Sequence, residues 1–494
     1  MANAVKTKAL DIVLDKRGMT YEDLEERKQE TLEWRALMDI VNVLSFEVIM
    51  TEVAIKIGIL YDCDVDGLYS GHILEDFFIR FGKKPVRYMN NDKTHGLTEQ
   101  AMAWVKEEKL DWLFVVDAGS GDLAQMQELT ALGIKVVVLD HHPYRRDSAL
   151  PQGAWVVNPI DDPSLPKLSG CGVVYRVIEA LGKRFNVMTE MYEKYVGVTV
   201  ISDICDMRDA ENRYYVRRAY AEYRANLLFN QFQFYGSYRS FYGYGLIPYL
   251  NALIRVGESK RAMLMVNSMH IPAKMNAVKR DVSRVKARQD EMVAELLTAG
   301  KLFEEKDFTL HLRKQKPSLR PIGGLMANRL LSKHEKSALV LYQEPNTGKW
   351  IGSFRGSNFD QDTLQNWGFS CKGHPFACGV EVDSQTLVQF KKQFELETQP
   401  KQSVDFRTSI NGLKKQTWLT LADFNEMSGA GVPEVVIELK EKMRDAVDIE
   451  VVSPKRRDII FQDGSVVLDF TGSDDDVIRI TPALAKDGYQ FIRK

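Results

Sequence analysis

The chain has 494 residues, of which 45% are hydrophobic and 27% charged, and a formal net charge of −2 at pH 7. This composition is typical of a globular protein with sizeable cores, and the length predicts about three domains. The near-neutral charge argues against attraction of the whole molecule to nucleic acid or membranes, but it does not exclude a local basic groove. Five scattered cysteines without a Cys-x-x-Cys pair argue against a zinc cage or disulfide framework and predict a cytoplasmic protein. No apolar run approaches the roughly 20 residues that span a bilayer, and the N-terminus does not resemble a signal peptide.

The first half of the chain predicts helices followed by an alternation of strands and helices. Residues 1–50 predict amphipathic helices. Strands are then predicted in EVAIKIGIL, PVRYMNN, DWLFVVD, IKVVVLD and AWVVNP, and helices in SGHILEDFFIRFG, LTEQAMAWVKEE and LAQMQELTALG. This alternation favours a parallel sheet covered by helices.

Acidic and imidazole side chains follow three of these strands. They are Asp62, Asp64, Asp66, Asp117, Asp140, His141 and His142. Each acid taken alone is an ordinary loop residue, but parallel sheets bind ligands beyond the carboxyl ends of their strands, so together they predict a site along one rim. Strand alternation through DCDVDG predicts that its three carboxylates point the same way. Carboxylates with a few imidazoles suit Mn²⁺ or Mg²⁺, and two such ions about 3.5–4 Å apart can clamp a phosphate and activate water.

The second half of the chain predicts further domains. Residues 165–260 look helical, residues 266–300 predict a long bridging helix, and a new α/β pattern begins near residue 307. From about residue 400, strands are predicted in TWLTLAD, EVVIELK, DIIFQDGSVVLDF and DVIRITPA. We therefore expect a helical lead-in (1–50), a catalytic α/β domain (51–260), a linking helix (261–302), a second α/β domain (303–398) and a small β-rich module (399–494).

Four motifs in the first domain resemble those of one known family. DCDVDG, VVDAG, LDHHP and VISDICD resemble, in order, the four metal-binding motifs of the DHH phosphoesterases. The resemblance implies two divalent cations, Mn²⁺ or Mg²⁺, held by Asp62, Asp64, Asp66, Asp117, His141 and Asp203. It also implies that Asp117 bridges the ions and that Asp140 and His142 act around them, so the catalytic set is Asp117, His141, His142 and Asp140. Leu60 occupies the position where some relatives carry a histidine ligand.

Motifs further along the chain extend the resemblance. GGLMANRLL, GSFRGS and KGHPFACG resemble segments of the DHH-associated domain, and IPYLNALIRVGE and SGAGVPEVVIEL resemble segments of the RecJ branch, the latter at the start of an oligonucleotide-binding (OB) barrel. Lys372, Tyr249, Ile254 and Val432 depart from the usual residues. The resemblance implies substrate contacts from Asn251, Arg255, Asn328, Arg329, Ser353, Arg355 and His374.

These motifs together imply a nuclease. A RecJ-like chain would be a two-metal 5′-to-3′ exonuclease that releases 5′-mononucleotides from single-stranded DNA, in preference to RNA. It would be a cytoplasmic monomer without membrane contact, with a single-strand-binding protein or a helicase as its expected protein partner. The alternatives are a hydrolase of short oligonucleotides or cyclic dinucleotides, and a non-catalytic scaffold of a replication or repair complex. The basic segment 312–336 and the aromatic and arginine-rich segment 214–245 are consistent with nucleic-acid binding, although helical aromatic patterns are more often core.

Overall fold

The computed structural model describes most of the chain. The described residues are 6–29, 34–90, 94–145, 148–162, 164–225, 239, 241–255, 257–268, 272–314, 320–374, 376–395, 404–429, 431–453, 456–485 and 488–494. Within these residues the chain forms three β-sheets, in the order predicted from the sequence: a parallel sheet, a second α/β unit and a β-rich C-terminal region. Residues 226–238 and 240 of the aromatic segment and residues 315–319 of the basic segment lie outside them.

The N-terminal helices pack against the rest of the molecule. Helices α1 (Lys8–Arg17) and α2 (Arg35–Leu44) bury one apolar face each, and a short π-helical turn (Ser45–Ile49) follows α2. Arg17 at the end of α1 pairs with Asp405 at 2.9 Å and so joins the N-terminus to the C-terminal region.

The first sheet has five parallel strands. Their spatial order is β2-β1-β3-β4-β5, with β1 (Ile57–Tyr61), β2 (Val86–Met89), β3 (Trp112–Val116), β4 (Lys135–Leu139) and β5 (Ala154–Val157). The intervening helices are α3 (Val65–Arg80), α4 (Glu99–Glu108) and α5 (Leu123–Ala131). The central strands β1 and β3 are buried throughout, which explains their continuous apolar sequences. The predicted parallel sheet is confirmed.

Helix α3 begins earlier than the sequence pattern predicted. We expected it from Ser70, but it starts at Val65, inside the acidic motif. The side chain of Asp64 accepts a hydrogen bond from the backbone N–H of Gly67 at 3.0 Å. An aspartate at this position stabilises a helix start, and here it ends the extended backbone after Tyr61.

A helical region follows the first sheet. Its helices are α6 (Gly170–Phe185), α7 (Glu193–Ser202), α8 (Ala210–Ala225), α9 (Ile247–Arg255), α10 (Ser259–Ser268) and α11 (Pro272–Ala299). Single turns of 3₁₀ or π helix lie at Glu22–Leu24, Pro159–Asp161, Glu190–Tyr192, Phe241–Leu246 and Met443–Asp445. The predicted long bridging helix is α11, and the segment before it is the separate helix α10.

The second sheet has six strands in the order β10-β11-β9-β8-β7-β6. They are β6 (Lys301–Glu304), β7 (Phe308–Lys314), β8 (Ser337–Gln343), β9 (Trp350–Arg355), β10 (Ser370–His374) and β11 (Ala377–Val382), with helices α12 (Arg320–His334), α13 (Gln361–Asn366) and α14 (Ser384–Gln393). Strands β7 and β8 are parallel and are joined through α12, whereas the other pairs are antiparallel.

The third sheet belongs to the C-terminal region. Its order is β12-β13-β17-β18-β16-β15-β14, with β12 (Phe406–Thr408), β13 (Ile437–Lys442), β14 (Ala446–Ser453), β15 (Arg456–Phe461), β16 (Val466–Asp469), β17 (Val477–Ala485) and β18 (Gly488–Arg493). The predicted strand TWLTLAD was wrong, because it lies in helix α15 (Lys415–Glu426). Trp418, Leu421 and Ala422 are buried at helical spacing, and an apolar run of that length fits a strand equally well in sequence. Among the described residues, none of the helices has the length and apolar character needed to cross a membrane.

Candidate metal centre

The polar strand ends converge at one edge of the first sheet. Tyr61 pairs with Val116, and Val116 with Leu139, so β1, β3 and β4 end side by side. The next residues along each strand are Asp62, Asp117 and Asp140, all of them buried. The register of the parallel strands therefore places three carboxylates at a common rim, as the sequence predicted.

The strand predicted through DCDVDG is not formed, because β1 ends at Tyr61 and helix α3 begins at Val65. Asp62 and Asp64 form one group with Asp117, whereas Asp66 forms another with His141 and Asp203. Within each group the candidate ligand atoms lie within 4.8 Å of one another. The predicted alternation fails because helix α3 has already begun at Val65, so Asp66 projects from its first turn.

The start of helix α6 holds Asp66 in place. The backbone N–H groups of Gly170 and Cys171 donate to its two carboxylate oxygens at 2.7 and 2.8 Å. A Cβ atom on Gly170 would lie 2.4 Å from Asp117 Oδ1, so glycine is needed for this close approach. Helix α6 thus fixes one carboxylate directly and makes room for another.

Asp117 lies between the two groups. Its Oδ1 is 3.3 Å from His141 Nε2, and that nitrogen is also 3.3 Å from Asp203 Oδ2. Both oxygens of Asp117 are buried, and neither accepts a hydrogen bond from the residues that the structure describes. The backbone of Asp117 has φ +63°, a left-handed conformation that aspartate and asparagine tolerate better than most residues.

The electrostatics of this cluster are unfavourable without a cation. Burial raises the pKa of Asp66 well above its usual range, and the neighbouring Asp203 and Asp64 raise it further. Burial and the surrounding acids raise the pKa of Asp117 in the same way. Carboxylate oxygens with one imidazole match the ligand preference of Mn²⁺ and Mg²⁺. The residues present therefore fit divalent cations.

Asp140 and His142 form a pair beside the cluster. His142 Nδ1 lies 2.9 Å from Asp140 Oδ1, which also accepts hydrogen bonds from the backbone N–H groups of His141 and His142. Burial alone would raise the pKa of Asp140, but the hydrogen bond and charge of His142 hold it well below its usual range. Burial opposes protonation of His142, yet the hydrogen bond to Asp140 raises its pKa to about 10. Asp140 therefore orients an imidazole, and that imidazole is His142.

His95 also contacts the centre, and it was not predicted from the sequence. Its Nδ1 lies 2.9 and 2.8 Å from the two carboxylate oxygens of Asp62. His95 follows β2, the neighbour of β1, so it comes from the same edge of the sheet. The strand-end rule that indicated Asp117 would have indicated His95 as well.

Two predicted substrate residues form a cationic group near the acids. Arg255 ends helix α9, and burial and the charge of Arg355 lower its pKa to about 10, whereas Asp64 favours its charged form. Arg255 Nε is buried without a hydrogen-bond partner among the described residues. Burial also lowers the pKa of Arg355, which ends strand β9. Two half-buried guanidinium groups whose charges influence each other, one of them also influenced by Asp64, fit a bound anion.

The other predicted substrate residues are placed less distinctively. Asn251 lies one turn before Arg255 on α9, and Ser353 lies beside Gly323 of α12. Asn328 is exposed on α12, and Arg329 is bonded to Asp290 of α11 rather than to the acidic centre. His374 belongs to strand β10, but its side chain lies outside the described residues.

Comparisons with known proteins agree with these features. Residues 56–202 match the model of the DHH family, N-terminal domain. The chain carries a DHH-family domain. The resemblance predicted from the four motifs is confirmed, because the sheet and all three acidic strand ends lie within this DHH domain.

Relatives with curated names extend the similarity beyond the DHH domain. The chain is 25% identical over 464 residues to the "putative SPbeta prophage-derived single-strand DNA-specific exonuclease YorK" of Bacillus subtilis. The aligned region covers 83% of this chain and 79% of that protein. The chain is 23% identical over 433 residues to the single-stranded-DNA-specific exonuclease RecJ of the same organism, over 78% of this chain and 52% of RecJ. The crystal structure of Thermus thermophilus RecJ in complex with Mn²⁺ superposes with a TM-score of 0.73 at 20% identity, over 100% of this chain and 76% of that chain. The chain therefore shares the RecJ fold.

Proposed function

We propose that this chain is a RecJ-like 5′-to-3′ exonuclease that hydrolyses the phosphodiester bonds of single-stranded DNA and releases 5′-mononucleotides. The observation that carries the proposal is the presence of two unlike sets of charges, a largely buried anionic set and a half-buried cationic set. One is the carboxylate cluster at the end of the first sheet, and the other is the Arg255 and Arg355 pair, whose first member interacts with Asp64. Cations bound by the first set and a phosphate bound by the second would neutralise both. The names of the relatives support DNA as the source of that phosphate.

Mn²⁺ or Mg²⁺ is the proposed cofactor, with two ions per chain. Asp62, Asp64 and Asp117 would hold one ion, and Asp66, His141 and Asp203 the other. When bound, such a pair of ions neutralises the phosphate and lowers the pKa of water. Asp117 is the proposed bridging residue because it belongs to the first group and lies 3.3 Å from His141 of the second.

The remaining residues of the centre orient the reacting groups. Asp140 orients His142 through a contact of 2.9 Å with its Nδ1, and that imidazole would donate to the scissile phosphate. Arg255 and Arg355 would grip phosphate oxygens, for which the fork of N–H donors on a guanidinium is well suited. Buried donors of this kind stabilise developing negative charge more strongly than exposed ones.

The wider organisation is also proposed. We divide the chain into a lead-in (1–50), a catalytic domain (51–260), a linking helix (261–302), a substrate domain (303–398) and a C-terminal module (399–494). We place the enzyme in the cytoplasm as a monomer, in keeping with its five free cysteines. A single-strand-binding protein or a helicase is the proposed protein partner.

Digestion of end-labelled nucleic acid tests the proposal. Long single-stranded DNA and RNA, labelled at either end, are incubated with the full-length chain and Mn²⁺ or Mg²⁺. We expect mononucleotides to be released from the 5′ end of long DNA, and no cleavage in EDTA. A substrate range limited to fragments of a few nucleotides or cyclic dinucleotides would replace this function with that of the smaller DHH hydrolases. Mn²⁺ binding without hydrolysis of any of these substrates would favour a scaffold.

A further inference from the structure

We propose that His95 is a positioning residue that orients Asp62 for cation binding. The inference rests on the proposed function, since it concerns a ligand of the proposed metal centre. His95 Nδ1 lies within hydrogen-bonding distance of both Asp62 oxygens, at 2.9 and 2.8 Å. The carboxylate of Asp62 is buried, whereas the imidazole of His95 is 58% exposed. The contact therefore joins the rim of the centre to its interior.

The two residues that follow His95 are held by hydrogen bonds to other parts of the domain. The side-chain amide of Asn90 donates to the carbonyl of Gly96 at 2.8 Å, and the backbone N–H of Leu97 donates to Asp122 at 2.7 Å. Gly96 has φ +68°, and a Cβ atom there would lie 2.2 Å from Asp122 Oδ2. Only glycine allows the loop to turn this close to Asp122. The backbone directly after His95 is thus anchored beside the centre.

The consequence for Asp62 is a fixed carboxylate plane. A carboxylate offers about four lone-pair positions, and one N–H group directed between its two oxygens leaves others available. Asp62 must present these to a cation shared with Asp64 and Asp117, which repel it when the cation is absent. A hydrogen bond from outside the ligand set fixes the orientation of a ligand and increases metal affinity. His95 lies outside the group that Asp62 forms with Asp64 and Asp117, and it supplies that bond.

Metal binding by the full-length protein tests this role directly. Mn²⁺ is titrated calorimetrically into wild type, His95→Ala and His95→Gln, with circular dichroism to confirm folding. We expect His95→Ala to weaken one of the two Mn²⁺ binding events by about 10- to 100-fold, as loss of an outer partner of a ligand usually does. His95→Gln should recover most of that affinity, because its amide can donate to Asp62. The matched control is His334→Gln, which removes a histidine–carboxylate contact of 2.9 Å to Glu304 in the second α/β unit and should bind Mn²⁺ like wild type.

Two outcomes would overturn the inference. Wild-type Mn²⁺ affinity in His95→Ala would show that Asp62 needs no orienting group. An equal loss in His95→Ala and His95→Gln would show that the imidazole itself binds the ion. If positioning is correct, nuclease assays should show a higher half-saturating Mn²⁺ concentration for His95→Ala but a near-normal kcat once Mn²⁺ saturates. A wild-type chain that binds two Mn²⁺ ions but hydrolyses no nucleic acid would contradict the proposed function and leave the role of His95 testable by the titration.

Discussion

Two buried clusters of acidic side chains lie along helix α6, one beside its middle and one beside its start. They differ in how their negative charge is balanced. Next to the middle of α6, Glu179, Glu193 and Glu211 are paired with Lys28 and Arg176 at N–O distances of 2.6 to 2.8 Å. At the start of the same helix, the acids of the metal centre have one another and a few imidazoles as neighbours. The first cluster is neutralised by the chain itself and stabilises the fold. The second requires cations from solution, which is how a functional site differs from a structural one made of the same residue types.

The pKa values of Glu179 and Glu193 in the first cluster and of Asp66 and Asp117 in the second express this difference, whereas burial raises the pKa of Glu211 despite its contact with Arg176. Burial would raise the pKa of Glu179 and Glu193, but hydrogen bonds and charge from Lys28 and other cations lower both. Burial raises the pKa of Asp66 and Asp117, and the nearby acids raise it further. Removal of an acid should therefore lower the stability of the fold at the first cluster. At the second cluster it should raise stability when no metal is bound.

The largest expected effect is that of Asp117→Asn on activity. We expect nuclease turnover to fall by about a thousandfold or more, because a metal-bridging charge supplies several kcal/mol of transition-state stabilisation. In EDTA the variant should unfold at a higher temperature than wild type, since one of the mutually repelling acids is gone. Asparagine is chosen because it tolerates the left-handed backbone at this position.

Turnover assays in Mn²⁺ and thermal melts in EDTA measure both effects. The control is Asp39→Asn, which removes an exposed acid 3.8 Å from Arg35 and should change neither. Near wild-type turnover by Asp117→Asn would show that the proposed metal centre is not the site of hydrolysis. A lower melting temperature in EDTA would show that the acids of the centre do not destabilise the metal-free fold.

Arg176→Met should lower stability and leave turnover nearly unchanged, the opposite of the effects expected for Asp117→Asn. The variant leaves Glu211 buried without its cationic partner and removes one of the cations paired with Glu179, which should lower the free energy of unfolding by about 3–5 kcal/mol. Turnover per folded molecule should stay close to wild type, because Arg176 belongs to the structural cluster. Urea unfolding followed by circular dichroism measures the loss. Arg35→Met, whose side chain is 96% exposed, is the control and should cost less than about 1 kcal/mol; a similar cost for both variants would contradict the comparison.

The contrast between the clusters also explains what the sequence could predict. Asp117 and Asp140 follow apolar strands, and parallel register alone brings them together. The pairing of Lys28 with Glu179 and Glu193 could not be predicted, because it joins residues about 150 positions apart without any local pattern. The strand predicted at Asp66 was wrong because the helix-capping role of Asp64 competes with strand continuation, and both fit the same acidic residues.

Arg255 is the cationic counterpart of the acidic centre, and its replacement should weaken substrate binding. We expect Arg255→Met to raise KM by about 10- to 100-fold, the equivalent of one or two charged hydrogen bonds to phosphate. Folding stability should not fall, because the guanidinium lacks a carboxylate partner among its described contacts and burial disfavours its charge. Steady-state kinetics on single-stranded DNA measure KM.

Arg329→Met is the matched comparison for Arg255→Met. Arg329 is already bonded to Asp290, so its replacement should loosen the contact of α12 with α11 and change KM less. A larger rise in KM for Arg329→Met than for Arg255→Met would place the phosphate contacts on α12 instead of at the ends of α9 and β9.

The smallest expected effect is the pH dependence of stability without metal, to which the two clusters contribute with opposite sign. The folded-state pKa of Asp66 and Asp117 is raised, so their ionisation destabilises the fold at neutral pH, and this penalty is relieved as the pH falls through those raised values. The folded-state pKa of Glu179 and Glu193 is lowered, so their contribution is present above the unfolded-state pKa of about 4.3 and is lost as the pH falls below it.

In EDTA, the free energy of unfolding from urea titrations should therefore rise as the pH is lowered from 7 and then fall below about pH 4.3. Asp117→Asn should flatten the rise and leave the acid-side fall unchanged, whereas an unaltered profile would mean that the acids of the centre are neutralised by the chain itself.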